Sequence, residues 1–117
     1  MTNVSAPPQE KTWDVVVIGA GPAGLMAAGR AAEKGARVVL LEKNPAPGKK
    51  LLITGGGRCN VTNAEFDTKK LLAKYRDAAK FLASPFSQWD ARSTIDFFES
   101  RGMKTKVEAE QRAFPAS

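Results

Sequence analysis

The chain has 117 residues, with 18 Lys and Arg against 12 Asp and Glu and a formal net charge of +6. That length suits one small domain. One cysteine and no histidine exclude an intrachain disulfide, a histidine metal site and a histidine-based triad within these residues.

Met1 to Lys11 is polar, contains Pro7-Pro8, and lacks a basic region followed by an apolar one. It reads as a disordered leader over residues 1–11, not a signal peptide. The stretch Val15 to Gly29 carries no charge, but glycines and a proline interrupt it and it is too short for a membrane span. The expectation is a soluble cytoplasmic protein with no membrane partner.

Val15-Val16-Val17-Ile18 is a β-branched run suited to a strand buried on both faces of a parallel sheet. It leads into Gly19-Ala20-Gly21-Pro22-Ala23-Gly24, which has the spacing G-x-G-x-x-G. In such a turn the first glycine allows the sharp exit from the strand. The second lets backbone approach a pyrophosphate, and the third lets the helix pack against the strand. Pro22 suits the first helical turn, and the helix N-terminus offers unpaired N–H groups and partial positive charge. Leu25, Ala28 and Ala32 form the expected sheet-facing side, and Gly35 ends the helix. Arg37 to Leu41 is the second strand. Glu42 follows it, 23 residues after Gly19. A carboxylate there accepts both hydroxyls of an adenosine ribose and repels a 2′-phosphate, which argues against NADP in this site. The turn alone leaves FAD and NAD open.

Two parallel strands and one crossover helix cannot cover both faces of a sheet. No later segment supplies another run like Val15–Ile18, so the chain reads as the N-terminal part of a longer protein.

Lys43 to Lys50 is a loop fixed by Pro45 and Pro47. After it comes Leu51-Leu52-Ile53-Thr54-Gly55-Gly56-Gly57-Arg58-Cys59-Asn60-Val61-Thr62-Asn63. Three successive glycines are costly to order and suit a backbone that passes close to something flat or charged. Arg58 can grip a pyrophosphate bidentately. Asn60, Thr62 and Asn63 can bond a ring system or cap the next segment. A flavin-type redox pair would need a second cysteine five residues after Cys59, and that position is Ala64. Cys59 is therefore read as a small packing residue near a cofactor.

A helix is expected from an Asp67 cap to about Ala83, striped by Leu71, Leu72, Tyr75, Ala79 and Leu82, with Pro85 preventing its continuation. A second runs from about Arg92 to Arg101, with Ile95 and Phe98 inward and Gly102 as its stop. Met103, Thr105 and Val107 then alternate with charged residues as a half-exposed strand, onto which Arg112-Ala113-Phe114 pairs back. Trp13 and Trp89 read as packing residues. The basic charge is spread out, Lys49-Lys50 and Lys69-Lys70 being the densest pairs. It reads as a solvated surface, and nucleic acid is not the expected partner.

The segment Leu51–Asn63, with Gly19–Gly24, Glu42-Lys43, Gly48-Lys49-Lys50, Phe97-Phe98-Glu99, Gly102, Arg112, Phe114, Pro115 and Ser117, resembles one flavoprotein family. These are the BaiN/YhiN-like FAD/NAD(P)-dependent oxidoreductases, also labelled aminoacetone oxidase family FAD-binding enzymes. Gln111 departs from the pattern, which has glycine there and a tight hairpin turn. The resemblance implies an α/β fold: a Rossmann-type FAD-binding βαβ unit, of the three-layer glutathione-reductase-like kind and incomplete here. A helical excursion and a short antiparallel hairpin accompany it. Residues 12–117 would be the N-terminal part of the FAD domain, its remainder and an inserted second domain being absent.

The resemblance further implies FAD as cofactor, with NAD(P)H as a candidate electron donor. Gly19, Ala20, Gly21, Pro22, Ala23 and Gly24 would hold the pyrophosphate and Glu42 the ribose. Lys43, Lys50, Gly57, Arg58, Cys59 and Asn60 would lie further along the cofactor. The implied chemistry is flavin-mediated hydride or electron transfer on a small organic substrate, by enone reduction or amine oxidation. No metal site is expected. No catalytic acid or base stands out, and substrate and oligomeric state are not legible. The competing readings are an NAD-binding dehydrogenase and a non-catalytic nucleotide-binding flavoprotein with a basic partner-binding surface. The long excursion after Glu42 argues against the dehydrogenase. The isolated segment is expected to be inactive.

Overall fold

A computed structural model describes residues 12–116. The leader expected over residues 1–11 lies outside the described residues. Among the described residues the chain divides into two compact units, the division falling between Lys50 and Leu51.

In the first unit, β1 (Val15–Ile18) pairs in parallel with β2 (Val38–Leu41), Val15 opposite Val38 and Ile18 opposite Leu41. The crossover is α1 (Pro22–Glu33), which packs on both strands. Its sheet-facing residues are Gly24, Leu25, Ala28 and Ala31, all half-buried; Ala32 is exposed instead. Gly35, at φ +88°, ends the turn after the helix. Side chains alternate across a strand. Val15 and Val17 are half-buried, while Val16, Ile18 and Leu41 are exposed. The expectation of burial on both faces is met on one. Among the described residues, this two-stranded sheet has one covering helix. Asp14 and Arg37 bracket the strand starts: the Arg37 amide donates to Asp14 Oδ2 at 2.8 Å, and the guanidinium adds two longer bonds.

Helix α2 (Lys49–Ile53) leads into the glycine cluster, where a plain loop was expected. In the second unit, β3 (Thr62–Asn63), β4 (Thr105–Glu108) and β5 (Arg112–Pro115) form an antiparallel sheet in the order β3-β5-β4. The expected hairpin is present as β4–β5, with Val107 opposite Ala113 and Lys106 opposite Phe114. The two-residue strand β3 extends it. Ala64, Ile95 and Ala113 make the buried core.

The helix expected as one piece is two. α3 (Thr68–Ala73), capped by Asp67, ends before a 3₁₀ turn at Arg76–Ala78, and α4 spans Ala79–Gln88. The break falls at Arg76, whose φ is +49°, a value that right-handed helix forbids. Pro85 lies inside α4. It removes one N–H from the helix ladder, and α4 ends three residues later at Gln88. The bend brings Tyr75 against Phe86, ring centroids 5.7 Å apart. Helix α5 (Ala91–Glu99) starts where Asp90 accepts from the Ser93 amide at 2.7 Å. It buries Ile95, and Gly102 follows at φ +87°. Trp89 donates to Thr94 Oγ1 at 2.9 Å and meets the Phe97 ring edge-on. In β4, Val107 is exposed and Glu108 is half-buried, the reverse of the expected pattern. Glu108 lies on the Phe114 face, where Arg58 shelters it.

Candidate functional site

Three glycines of the first turn are glycines for three different reasons. Gly19 has φ +94°, a conformation that side chains disfavour. At Gly24 a Cβ would sit 1.9 Å from the Gly19 carbonyl oxygen, so the helix can approach the strand only without one. Gly21 has an ordinary φ of −77° and is the N-cap of α1. A Cβ built there meets no protein atom within 4 Å. Neither backbone nor packing requires glycine at 21. Glycine is also a favoured N-cap residue, and the open space beside this backbone leaves room for a molecule to come close. A pyrophosphate fits this cradle. Pro22 occupies the first turn of α1, which carries no acidic residue, and the first bond into the helix is from Leu25 N–H to Gly21 C=O at 2.9 Å. The N–H groups of Ala23 and Gly24 precede it and face the N-terminal end.

Glu42 is fixed beside this turn. Its Oε2 accepts from the Ala20 amide at 2.8 Å. Its Oε1 accepts from the Asn44 amide at 2.8 Å and the Asn44 side chain at 2.6 Å. These bonds, that from the Asn44 backbone foremost and that from Ala20 next, hold the carboxyl below its ordinary range. The group is thus ionised and oriented before any ligand arrives. With one protein donor on Oε2, that oxygen keeps acceptor capacity for a ribose hydroxyl. Ala20 is itself buried, and its C=O accepts from Gly48 N–H at 2.8 Å, which draws the proline loop against the turn. The structure therefore brings Gly19–Gly24 and Glu42 together. Lys43 and Lys50 are exposed.

The second unit holds Gly57, Arg58, Cys59 and Asn60. Gly55, Gly56 and Gly57 all have positive φ, as does Cys59 at 58°. Thr54 C=O gathers the loop by accepting from the Gly57 and Cys59 amides. At Gly55 a Cβ would lie 2.7 Å from Phe114 Cε1 and 2.9 Å from the Asn60 nitrogen. The Asn60 side-chain nitrogen, in the orientation that satisfies its neighbours, donates to the carbonyls of Ala113 and Thr62 at 3.1 Å each. Cys59 is a half-buried free thiol. Arg58 carries the contacts that sequence reasoning missed. Its Nη1 donates to both Glu108 oxygens, at 3.0 and 2.9 Å. Its guanidinium carbon lies 4.2 Å over the Phe114 ring. Arg58 and Lys106 hold the Glu108 carboxyl below its ordinary range, Arg58 contributing most.

Among the described residues no cluster of three or more metal-binding side chains occurs, and no helix is long and apolar enough to cross a membrane.

The model of the HI0933-like protein Rossmann domain matches residues 13–117. The ribosomal RNA dihydrouridine synthase of Escherichia coli is 38% identical over 91 residues, covering 78% of this chain and 22% of that protein. The 3-dehydro-bile acid delta(4,6)-reductase of Clostridium scindens is 37% identical over 92 residues, with 77% and 22% covered. The NADH:acrylate oxidoreductase of Vibrio harveyi is 55% identical over 47 residues, with 40% and 5% covered. The chain thus spans about a fifth of the length of the first two relatives. It belongs to the HI0933-like Rossmann family, as the resemblance in Leu51–Asn63 and Gly19–Gly24 implied.

Proposed function

We propose that the whole protein reduces a carbon–carbon double bond conjugated to a carbonyl group. The observation that carries the cofactor half of this reading is Gly21: a glycine that neither conformation nor packing requires, at a helix N-terminus beside an ionised, pre-oriented Glu42. Glycines 19–24 would cradle the pyrophosphate and Glu42 would take the ribose. Lys43, Lys50, Gly57, Arg58, Cys59 and Asn60 would serve positions further along the cofactor. When bound, FAD supplies the hydride.

The substrate half is supported by what the names of three relatives have in common, although other relatives are named as opine oxidases. Making dihydrouridine saturates a uracil double bond conjugated to a carbonyl. A 3-dehydro delta(4,6) steroid is a conjugated dienone, and acrylate is a conjugated acid. The expectation of enone reduction accords with all three better than amine oxidation does. NAD(P)H is the proposed donor and the cytoplasm the proposed location.

The test is to purify the whole protein, record its visible spectrum and identify the released cofactor by chromatography. A flavin spectrum with released FAD, followed by NAD(P)H oxidation dependent on an enone, an acrylate or a uridine-containing RNA, supports the reading. A colourless protein that binds NADH defeats it in favour of the dehydrogenase. A flavoprotein that oxidises amines and leaves every conjugated alkene untouched defeats the substrate half alone.

A further inference from the structure

We propose that Arg58 is a positioning residue that clasps the Gly55–Asn60 loop onto β5 through Glu108 and Phe114, and is not a ligand of the cofactor phosphates. This rests on the reading that the loop lies along FAD.

The geometry is that of a fastening. The cross-strand pairs of β5 place Lys106, Glu108, Phe114 and Arg112 on one face of the sheet, and the glycine loop lies against that face. Phe114 is 1% exposed. Gly55 meets its ring edge and the Arg58 guanidinium covers its face. The same guanidinium meets Glu108 on the neighbouring strand. Asn60, at the end of the loop, bonds Ala113, next to Phe114 in β5. The three glycines give the backbone its turn but leave it with little stiffness of its own. Without the clasp, the loop is held by Asn60 and by Thr54 alone among the bonds described above.

A half-exposed ion pair adds little to global stability. A stacked, charge-paired arginine does restrict geometry, and lysine is a poor replacement for that stacking and pairing. The role is local: it fixes where the backbone of Gly57 to Asn60 lies.

The decisive comparison uses Arg58→Gln, Glu108→Gln, the double variant Arg58→Gln/Glu108→Gln, and the reversed pair Arg58→Glu/Glu108→Arg, all in the whole protein. Two readouts are needed: FAD dissociation constants, and the rate at which iodoacetamide labels Cys59 in the apoprotein, with the label located by mass spectrometry. As a clasp, both single variants weaken FAD by a similar factor, about fivefold, and speed Cys59 labelling. The double variant is then no worse than either single one, as expected for residues acting as a unit, and the reversed pair recovers part of the loss. If Arg58 instead grips a phosphate, Glu108→Gln leaves FAD binding unchanged or tighter, and Arg58→Gln weakens FAD without changing Cys59 labelling in the apoprotein. That pattern overturns the proposal. If the wild-type protein binds no FAD at all, the cofactor reading fails, whereas the labelling rates still report on the clasp.

Discussion

Ala20 and Glu42 are bonded across 22 residues of sequence: the Ala20 amide donates to Glu42 Oε2 at 2.8 Å. The turn that would receive the phosphates and the carboxylate that would receive the ribose are therefore one hydrogen-bonded unit. Glu42→Gln breaks it asymmetrically. An amide presents one acceptor oxygen and one donor nitrogen, so either Ala20 or Asn44 loses its acceptor. The expected outcome is a loss of FAD affinity of about tenfold, read by fluorescence titration of the apoprotein. An unchanged affinity would remove Glu42 from the cofactor site.

The same carboxylate sets a pH dependence. Its folded pKa lies below the ordinary 4.5 because of the Asn44 and Ala20 bonds. A depressed acid contributes stability that is fully present above the unfolded pKa and is lost as pH falls through the folded one. FAD retention is therefore expected to be flat with respect to this group above about pH 5, and to weaken only below its ordinary value of 4.5. Glu42→Gln should lack that acid limb. A wild-type midpoint for FAD release near neutrality would show that another group controls binding.

Gly21 and Gly24 separate ligand binding from folding. Gly24→Ala drives a Cβ to 1.9 Å from the Gly19 oxygen. Such overpacking costs about 1–3 kcal/mol or more, so the apoprotein should melt several degrees lower. Gly21→Ala meets nothing in the protein and loses only the small N-cap preference of glycine over alanine, under about 1 kcal/mol. Its apoprotein should melt close to wild type yet fail to retain FAD. Calorimetry of the apoproteins and flavin-to-protein ratios after reconstitution test the pair. Full flavin content in Gly21→Ala would refute the pyrophosphate assignment.

What the sequence revealed of this molecule was local. Val15–Ile18, the glycine spacing, Gly35 and Glu42 each report on neighbours close in the chain, and the βαβ unit followed from them. Asp67 and Gly102 likewise gave helix ends. What stayed hidden needed partners far away. Thr62-Asn63 is too short to show a period, and becomes a strand only because β5 lies beside it. The tie from Arg58 to Glu108 spans 50 residues and is not legible in the sequence. Glu108 reads as the solvent-facing end of an alternating strand until that tie is seen. The break at Arg76 carries no glycine or proline to announce it.

Gln111 marks a place where the chain bears a cost that its sequence announces. The resemblance put glycine at that position, and the structure keeps the turn regardless, with Glu110 at φ 61° and Gln111 at φ 57°. The turn survives because its surroundings fix it. The Gln111 carbonyl accepts from the Ala64 amide at 2.6 Å, and β4 and β5 pair immediately on either side. A non-glycine residue in this region costs about 1–2 kcal/mol. Glycine removes that cost but adds about 0.5–1 kcal/mol of backbone entropy. The side-chain contact from Lys74 to Gln111, at 3.3 Å and exposed, contributes little. Gln111→Gly is thus expected to stabilise the protein by about 0.5–1 kcal/mol, seen as a higher melting temperature with unchanged FAD affinity. A lower melting temperature would mean that the Lys74 contact outweighs the backbone strain.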